Sequence, residues 1–137
     1  MGKIVIFSAI AGEGATTQLI NEMMSYVNPS TSVKMILLSS YLNFDTFAAI
    51  AKSHSNIKHL RASDEIRFQY VETILDSEHY FFEHEGASVI ALDRLINNID
   101  DYKQIEEWAH KYGKTVLVSR VLPNRVAKCD KSVRVLR

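Results

Sequence analysis

Cysteine, proline and glycine are all scarce in this chain of 137 residues, which holds 1 Cys, 2 Pro and 5 Gly. The lone Cys129 excludes an internal disulfide framework and any cysteine-rich zinc site. The low glycine and proline content excludes collagen-like and low-complexity chains. Five histidines are scattered, and the pair His79 and His84 does not share a helix face, so the spacing offers no zinc set. No apolar run reaches the roughly 18 residues of a membrane helix. The N-terminus lacks a basic stretch leading into an apolar run and a small-residue cleavage site, so a cytosolic globular protein is expected. Charge of one sign is missing too: 16 Lys and Arg balance 16 Asp and Glu.

That balance hides a split. From Arg120 onward there are six basic residues and one acidic, so this segment is +5 and the rest −5. A basic tail over about residues 120–137 is expected, able to attract DNA or an acidic partner. Glu72, Asp76, Glu78, Glu83 and Glu85 form an acidic stretch with no Lys or Arg between them, read as the wet face of a helix. With 47% hydrophobic and 23% charged residues, the chain can bury one core.

The apolar pattern divides into short continuous runs and amphipathic stretches. Lys3–Phe7, Val33–Leu38, Ala87–Leu92 and Thr115–Val118 read as buried strands, and Ile57–Leu60 as a further short one. Helices are expected from Thr16 or Thr17 to Val27, from Phe44 to Ala51, from Asp64 to Phe82, and from Asp100 or Asp101 to Gly113. Within the third, Phe68, Val71, Ile74, Leu75 and Phe82 supply the apolar face, and Ser63 or Asp64 the cap. Strands that are apolar throughout and alternate with helices predict a single α/β domain. It is a Rossmann-like three-layer sandwich, mainly parallel, with helices on both faces. Ligands in such sheets bind beyond the carboxyl ends of the strands, so the loops after Phe7, Leu38, Leu92 and Val118 matter most.

The first of these loops runs Ser8-Ala9-Ile10-Ala11-Gly12-Glu13-Gly14-Ala15-Thr16-Thr17. A strand, a glycine-bearing turn and a Thr-Thr pair opening a helix suit a phosphate, because inward-facing amides and the helix dipole favour an anion. The stretch resembles the phosphate loop of the MinD/ParA-type ATPases and the related bacterial tyrosine kinases, S-x-x-x-G-x-G-K-T-T with an Asn four residues on. Gly12, Gly14, Thr16, Thr17 and Asn21 fall on the matching positions. The resemblance implies ATP or ADP with Mg²⁺ as ligand, seated on Gly12, Glu13, Gly14, Ala15, Thr16 and Thr17. It implies Thr16 and Asp93 for the metal and Thr17 near the α-phosphate. The lysine of that loop is Ala15 here, Ala11 is uncharged, and Ser39-Ser40-Tyr41 replaces the acidic pair after the second strand. Without the lysine, transition-state charge on a phosphoryl group loses its main partner, so ATP hydrolysis is expected to be weak or absent. The implied role is then that of an interaction or partitioning-type partner, joining a protein partner or a second copy of itself. Arg94, Arg120 and Arg125 are further candidate anion contacts, the last two able to replace the lost charge.

Leu92-Asp93-Arg94-Leu95 also resembles the L-D-R-L motif of the serine recombinases, which cut DNA through a serine nucleophile. There the first-strand Arg would be Ala9 and the nucleophile Ala11, so this alternative implies an inactive relative that binds DNA or an active recombinase. A third alternative is a receiver-like interaction domain, whose acidic cluster Ser39, Ser40 and Asp93 do not reproduce.

Overall fold

The computed structural model describes residues 2–10, 12–84, 86–122 and 129–136. Four runs of the chain that are apolar on both sides form the middle of one sheet: β1 (Gly2–Ala9), β2 (Lys34–Ser39), β4 (Val89–Asp93) and β5 (Thr115–Val121). An edge strand lies at each side, β3 (Glu65–Tyr70) and β6 (Asp130–Leu136). The order across the sheet is β3-β2-β4-β5-β1-β6. All pairings are parallel except that of β6, which runs antiparallel to β1.

Alternation along each strand splits the core in two. Val5, Phe7, Met35, Leu37, Ala91 and Leu117 face α1 (Ala15–Met24) and α2 (Phe44–Lys52). Ile4, Ile6, Ile36, Leu38, Ile90, Leu92, Val116 and Val118 face α3 (Ile99–Tyr112) and a π-helical turn, Glu78–His84. The result is the three-layer α/β sandwich with a mostly parallel sheet that the pattern predicts. Gly2 lets the sheet and α3 approach closely, since a Cβ there would lie 2.3 Å from the Ala109 carbonyl oxygen.

Three local expectations are corrected. The stretch from Asp64 to Phe82 is not one helix: residues 65–70 form β3, and only Glu78–His84 is helical. Ile66 and Phe68 recur with a period of two, and this wins because they can pack on α2, where Phe47 and Phe68 rings stand 5.6 Å apart. Asp64 caps nothing helical. Its carboxylate accepts from the Arg61 and Val33 amides at 2.9 Å each, and these two bonds hold its pKa below the ordinary value. Residues 57–60 are not a strand but belong largely to a 3₁₀ turn, Ser55–His59, pinned by the Asn56 side chain on the Val27 carbonyl at 3.0 Å. Asn98, rather than Asp100 or Asp101, caps α3 through the Asp101 amide at 3.0 Å.

The basic C-terminal segment is also more than a tail. Residues 115–121 and 130–136 are strands, and two of its cations are paired: Lys131 with Glu22 at 2.7 Å and Arg134 with Glu106 at 2.5 Å.

Candidate functional site

At the carboxyl end of β1 the chain must leave the sheet and enter α1 within a few residues. Gly12 and Gly14 make this turn with φ of 84° and 90°, a region that L side chains enter at a cost. The Glu13 amide donates to the Ile10 carbonyl at 3.1 Å, and Gln18 to Gly14 at 2.9 Å. No side chain caps α1. Among the described residues, the amides of Ala15, Thr16 and Thr17 donate to no carbonyl. A Cβ at Gly12 or Gly14 would meet nothing within 4 Å, so the loop borders open space. Amides with no carbonyl acceptor among the described residues, at a helix start without a side-chain cap and under open space, can donate to an anion. Glu13 and Thr17 are exposed there, whereas Ala15 is buried in the core beneath α1.

Asp93 ends β4 on the α1 face, fully buried. Three hydroxyls converge on it: Thr16 Oγ1 and Ser119 Oγ donate to Oδ1 at 2.8 and 2.7 Å, and Ser39 Oγ donates to Oδ2 at 2.9 Å. Among the described residues it has no ion pair. Charge-assisted hydrogen bonds to a buried carboxylate are worth about 1.5–3 kcal/mol each, which is what makes its burial affordable. The serines are themselves fixed. Ser39 Oγ accepts from the Tyr41 and Leu42 amides at 3.0 and 2.9 Å, and Ser119 Oγ from the Arg94 amide at 3.1 Å.

Arg94 has φ of 56°, which only a strongly determined surrounding holds in a residue with a side chain. Its guanidinium carbon lies 4.1 Å from the centre of the Tyr41 ring, and its Nε is buried with no partner among the described residues. Arg94 and Tyr41 stand between β4, whose chain continues to the α3 face, and β2, whose chain continues to the α1 face. Such a divergence of neighbouring strands opens a crevice at the carboxyl edge.

Of the residues singled out from the sequence, the fold brings Thr16 and Asp93 into contact and places Arg94 directly after them. It does not bring Arg120 to this cluster. Arg120 is on the α3 face, with Nε donating to Ser8 Oγ at 2.7 Å and the guanidinium 5.4 Å from the Tyr102 ring centre. Ser8 therefore faces away from Asp93. Ala11 and Arg125 lie outside the described residues. The sequence reading missed Ser39, Ser119 and Tyr41 as members of the site. Their signal was a small hydroxyl or a lone aromatic at the end of an otherwise apolar strand.

No known protein family matches the chain, and no curated protein does. The site is accordingly judged on its donor set. That set suits phosphate oxygens at the loop. It also leaves the Thr16 oxygen with lone pairs after its proton has gone to Asp93, which suits a hard cation. Among the described residues no three His, Cys, Asp or Glu side chains group as metal ligands, so a cation here would take the rest of its shell from water and ligand.

Proposed function

We propose that this chain is a nucleotide-binding-like protein built on a phosphate loop without its lysine. ATP hydrolysis in it is weak or absent, and it serves as a cytosolic interaction partner in a protein assembly. The observation that carries this reading is the 2.8 Å hydrogen bond from Thr16 to Asp93, which ties the helix-opening Thr to an acidic strand end. Supporting it are the two positive-φ glycines and the first-turn amides of α1, which have no carbonyl acceptor among the described residues; among those residues no helix is long and apolar enough to cross a membrane.

Each residue has a defined part. Gly12 and Gly14 bring the backbone close to the phosphates, and the Ala15, Thr16 and Thr17 amides donate to their oxygens. Thr16 would hold Mg²⁺ through its hydroxyl oxygen, and Asp93 fixes that hydroxyl's direction. Bound Mg²⁺ supplies charge neutralisation for the phosphates. Arg94 is the cation nearest in sequence to this cluster. Nothing among these residues acts as a base toward water, and Ala15 brings no charge, so binding without turnover is the expected behaviour.

The test is a thermal-shift titration with Mg-ADP and Mg-ATP beside a phosphate-release assay. Stabilisation that grows with nucleotide concentration is expected in the wild type and lost in Thr16→Val, with phosphate release near background. No stabilisation at millimolar nucleotide would overturn the reading. Salt-sensitive DNA binding in place of a nucleotide effect would favour the recombinase-like alternative. The pairing of Lys131 with Glu22 and Arg134 with Glu106 speaks against that outcome, because it neutralises part of the basic segment.

A further inference from the structure

The two edges of the sheet are finished differently. At one edge the side chains of β3 pack on α2, where the Phe44 and Phe47 rings stand 6.3 and 5.6 Å from that of Phe68. At the other edge nothing among the described residues pairs with the outer side of β6. All of its residues but Leu136 are exposed, and Val133 and Val135 are 50% and 53% open. A free edge that carries apolar side chains is a template for another strand.

The direction of the backbone groups along β6 follows from β1. The Lys3 amide donates to the Lys114 carbonyl at 3.1 Å, and the Ala9 carbonyl accepts from the Leu122 amide at 2.8 Å. The odd-numbered residues of β1 therefore turn their backbone groups to β5, and the even-numbered ones turn theirs to β6. The register partners of those even-numbered residues run from Leu136 to Asp130 and are even-numbered too. Lys131, Val133 and Val135 are left to direct N–H and C=O to the free edge. Their side chains share the α1 face with Val5, the register partner of Val133.

Edge strands are normally guarded by charge, above all by lysine. Here the guarding charges are neutralised within the chain. Lys131 pairs with Glu22 of α1 at 2.7 Å, and Arg134 with Glu106 of α3 at 2.5 Å. Neither cation stands unopposed to repel a like strand. The strand has no proline, and its register with β1 runs unbroken from Asp130 to Leu136.

We propose that β6 is a self-association surface: a second copy of this chain adds its own β6 antiparallel, across a twofold axis at Val133, and two sheets become one. A twofold closes the assembly, because the contact uses each copy's β6 once and leaves none for a third copy. With Val133 opposite its counterpart, Lys131 of each copy stands opposite Val135 of the other. Each such pair exchanges two backbone hydrogen bonds, since all three residues present both groups outward. The valines of both copies meet on the α1 face, and each Lys131 keeps its Glu22. With its cations paired, the strand offers a foreign partner only Asp130 as a charge to recognise, whereas its valines are matched by those of an identical strand. This names a partner for the assembly role proposed above and needs no nucleotide, so its failure leaves the phosphate-loop reading standing.

The experiment is sedimentation of the full chain over a wide concentration range without nucleotide, with amide hydrogen exchange followed by NMR on the same samples. Wild type is expected to pass from monomer to dimer as concentration rises. The amides of Lys131, Val133 and Val135 should gain protection with it, while those of Ser132 and Arg134, bonded to β1, are protected throughout. Val133→Lys and Val133→Glu each place two like charges at the axis, and each should weaken the dimer by about tenfold or more. An equimolar mixture of the two should restore it. Both changes fall on a half-exposed side chain, so each variant's melting temperature in dilute solution should stay close to the wild type's, showing that it is folded. A chain that is monomeric at every concentration, a dimer unchanged by both substitutions, a mixture no more dimeric than its components, or protection gained on β3 in place of β6 overturns the proposal.

Discussion

The two faces of the sheet's carboxyl edge arrange their polar groups in opposite ways, one closed and buried, the other partly open to water. On the α1 face a buried carboxylate sits at the centre, and three hydroxyls from α1, β2 and β5 are spent on it. On the α3 face the Arg120 guanidinium bonds Ser8 and lies beside the Tyr102 phenol, with Asp130 opposite Ser8 on β6. The first cluster is complete without a ligand, so it acts as a strut that ties three strands to α1 and fixes Thr16 under the loop. The second is looser, since Arg120 is partly exposed and Asp130 is exposed, so water shares in their hydrogen bonds. How far water reaches the charged group at the centre distinguishes the two.

The sharpest way to break this contrast is to remove the strut. Asp93→Ala leaves three hydroxyls without their acceptor in a buried place and should lower unfolding stability by about 3 kcal/mol. Asp93→Asn keeps the volume and one acceptor oxygen and should cost about half as much, as the amide cannot accept at its nitrogen. Urea unfolding of the two variants measures both, and a loss below 1 kcal/mol in Asp93→Ala would deny the cluster its structural role. Thr16→Val removes one donor of three from a half-exposed position, and about 1 kcal/mol is expected.

Much of this architecture can be read along the chain, and the unread part has a physical reason. β1, β2, β4 and β5 are apolar on both sides, so no register choice competes with burial, and α1, α2 and α3 carry a clean apolar stripe. Residues 65–82 deceive because Ile66, Phe68, Val71, Ile74, Leu75 and Phe82 satisfy a helical spacing overall, while 65–70 satisfy a strand spacing locally. Only the free edge of β2 and the aromatic surface of α2 decide between them. The loop glycines and Asp93 are visible as separate motifs. Their meeting is tertiary, since Thr16 and Asp93 are 77 residues apart and come together only because β4 lies one strand from β1. Tyr102 reads from sequence as core, and its ring is core; that its hydroxyl lies beside Arg120 depends on β5 and β1 bringing Arg120 and Ser8 beneath α3.

A third prediction uses pH to sharpen the contrast. The folded chain holds the Tyr102 proton to about 12 because of burial, while an unfolded tyrosine releases it near 10.0. A pKa raised by folding contributes stability that is whole below the unfolded value and drains as pH rises through the folded one. Between pH 10 and 12 the wild-type melting temperature should therefore fall more steeply than that of Tyr102→Phe. Other tyrosines and lysines titrate in both proteins and cancel in the difference. Parallel curves would mean that the phenol is not held neutral by its burial.

The smallest effect belongs to Ser8, and it tests whether the α3-face group is a finished network. Ser8→Ala removes the acceptor of Arg120 Nε, yet Arg120 is partly exposed and water can take the freed proton. About 0.5 kcal/mol of stability should be lost, less than Thr16→Val loses from the opposite face. Tyr102→Phe removes a hydroxyl that lies beside the partly exposed Arg120 and should cost at least as much as Ser8→Ala. The same urea titration decides. If Ser8→Ala costs as much as Asp93→Ala, the guanidinium, phenol and serine are already a closed structural unit, and the difference between the two faces disappears.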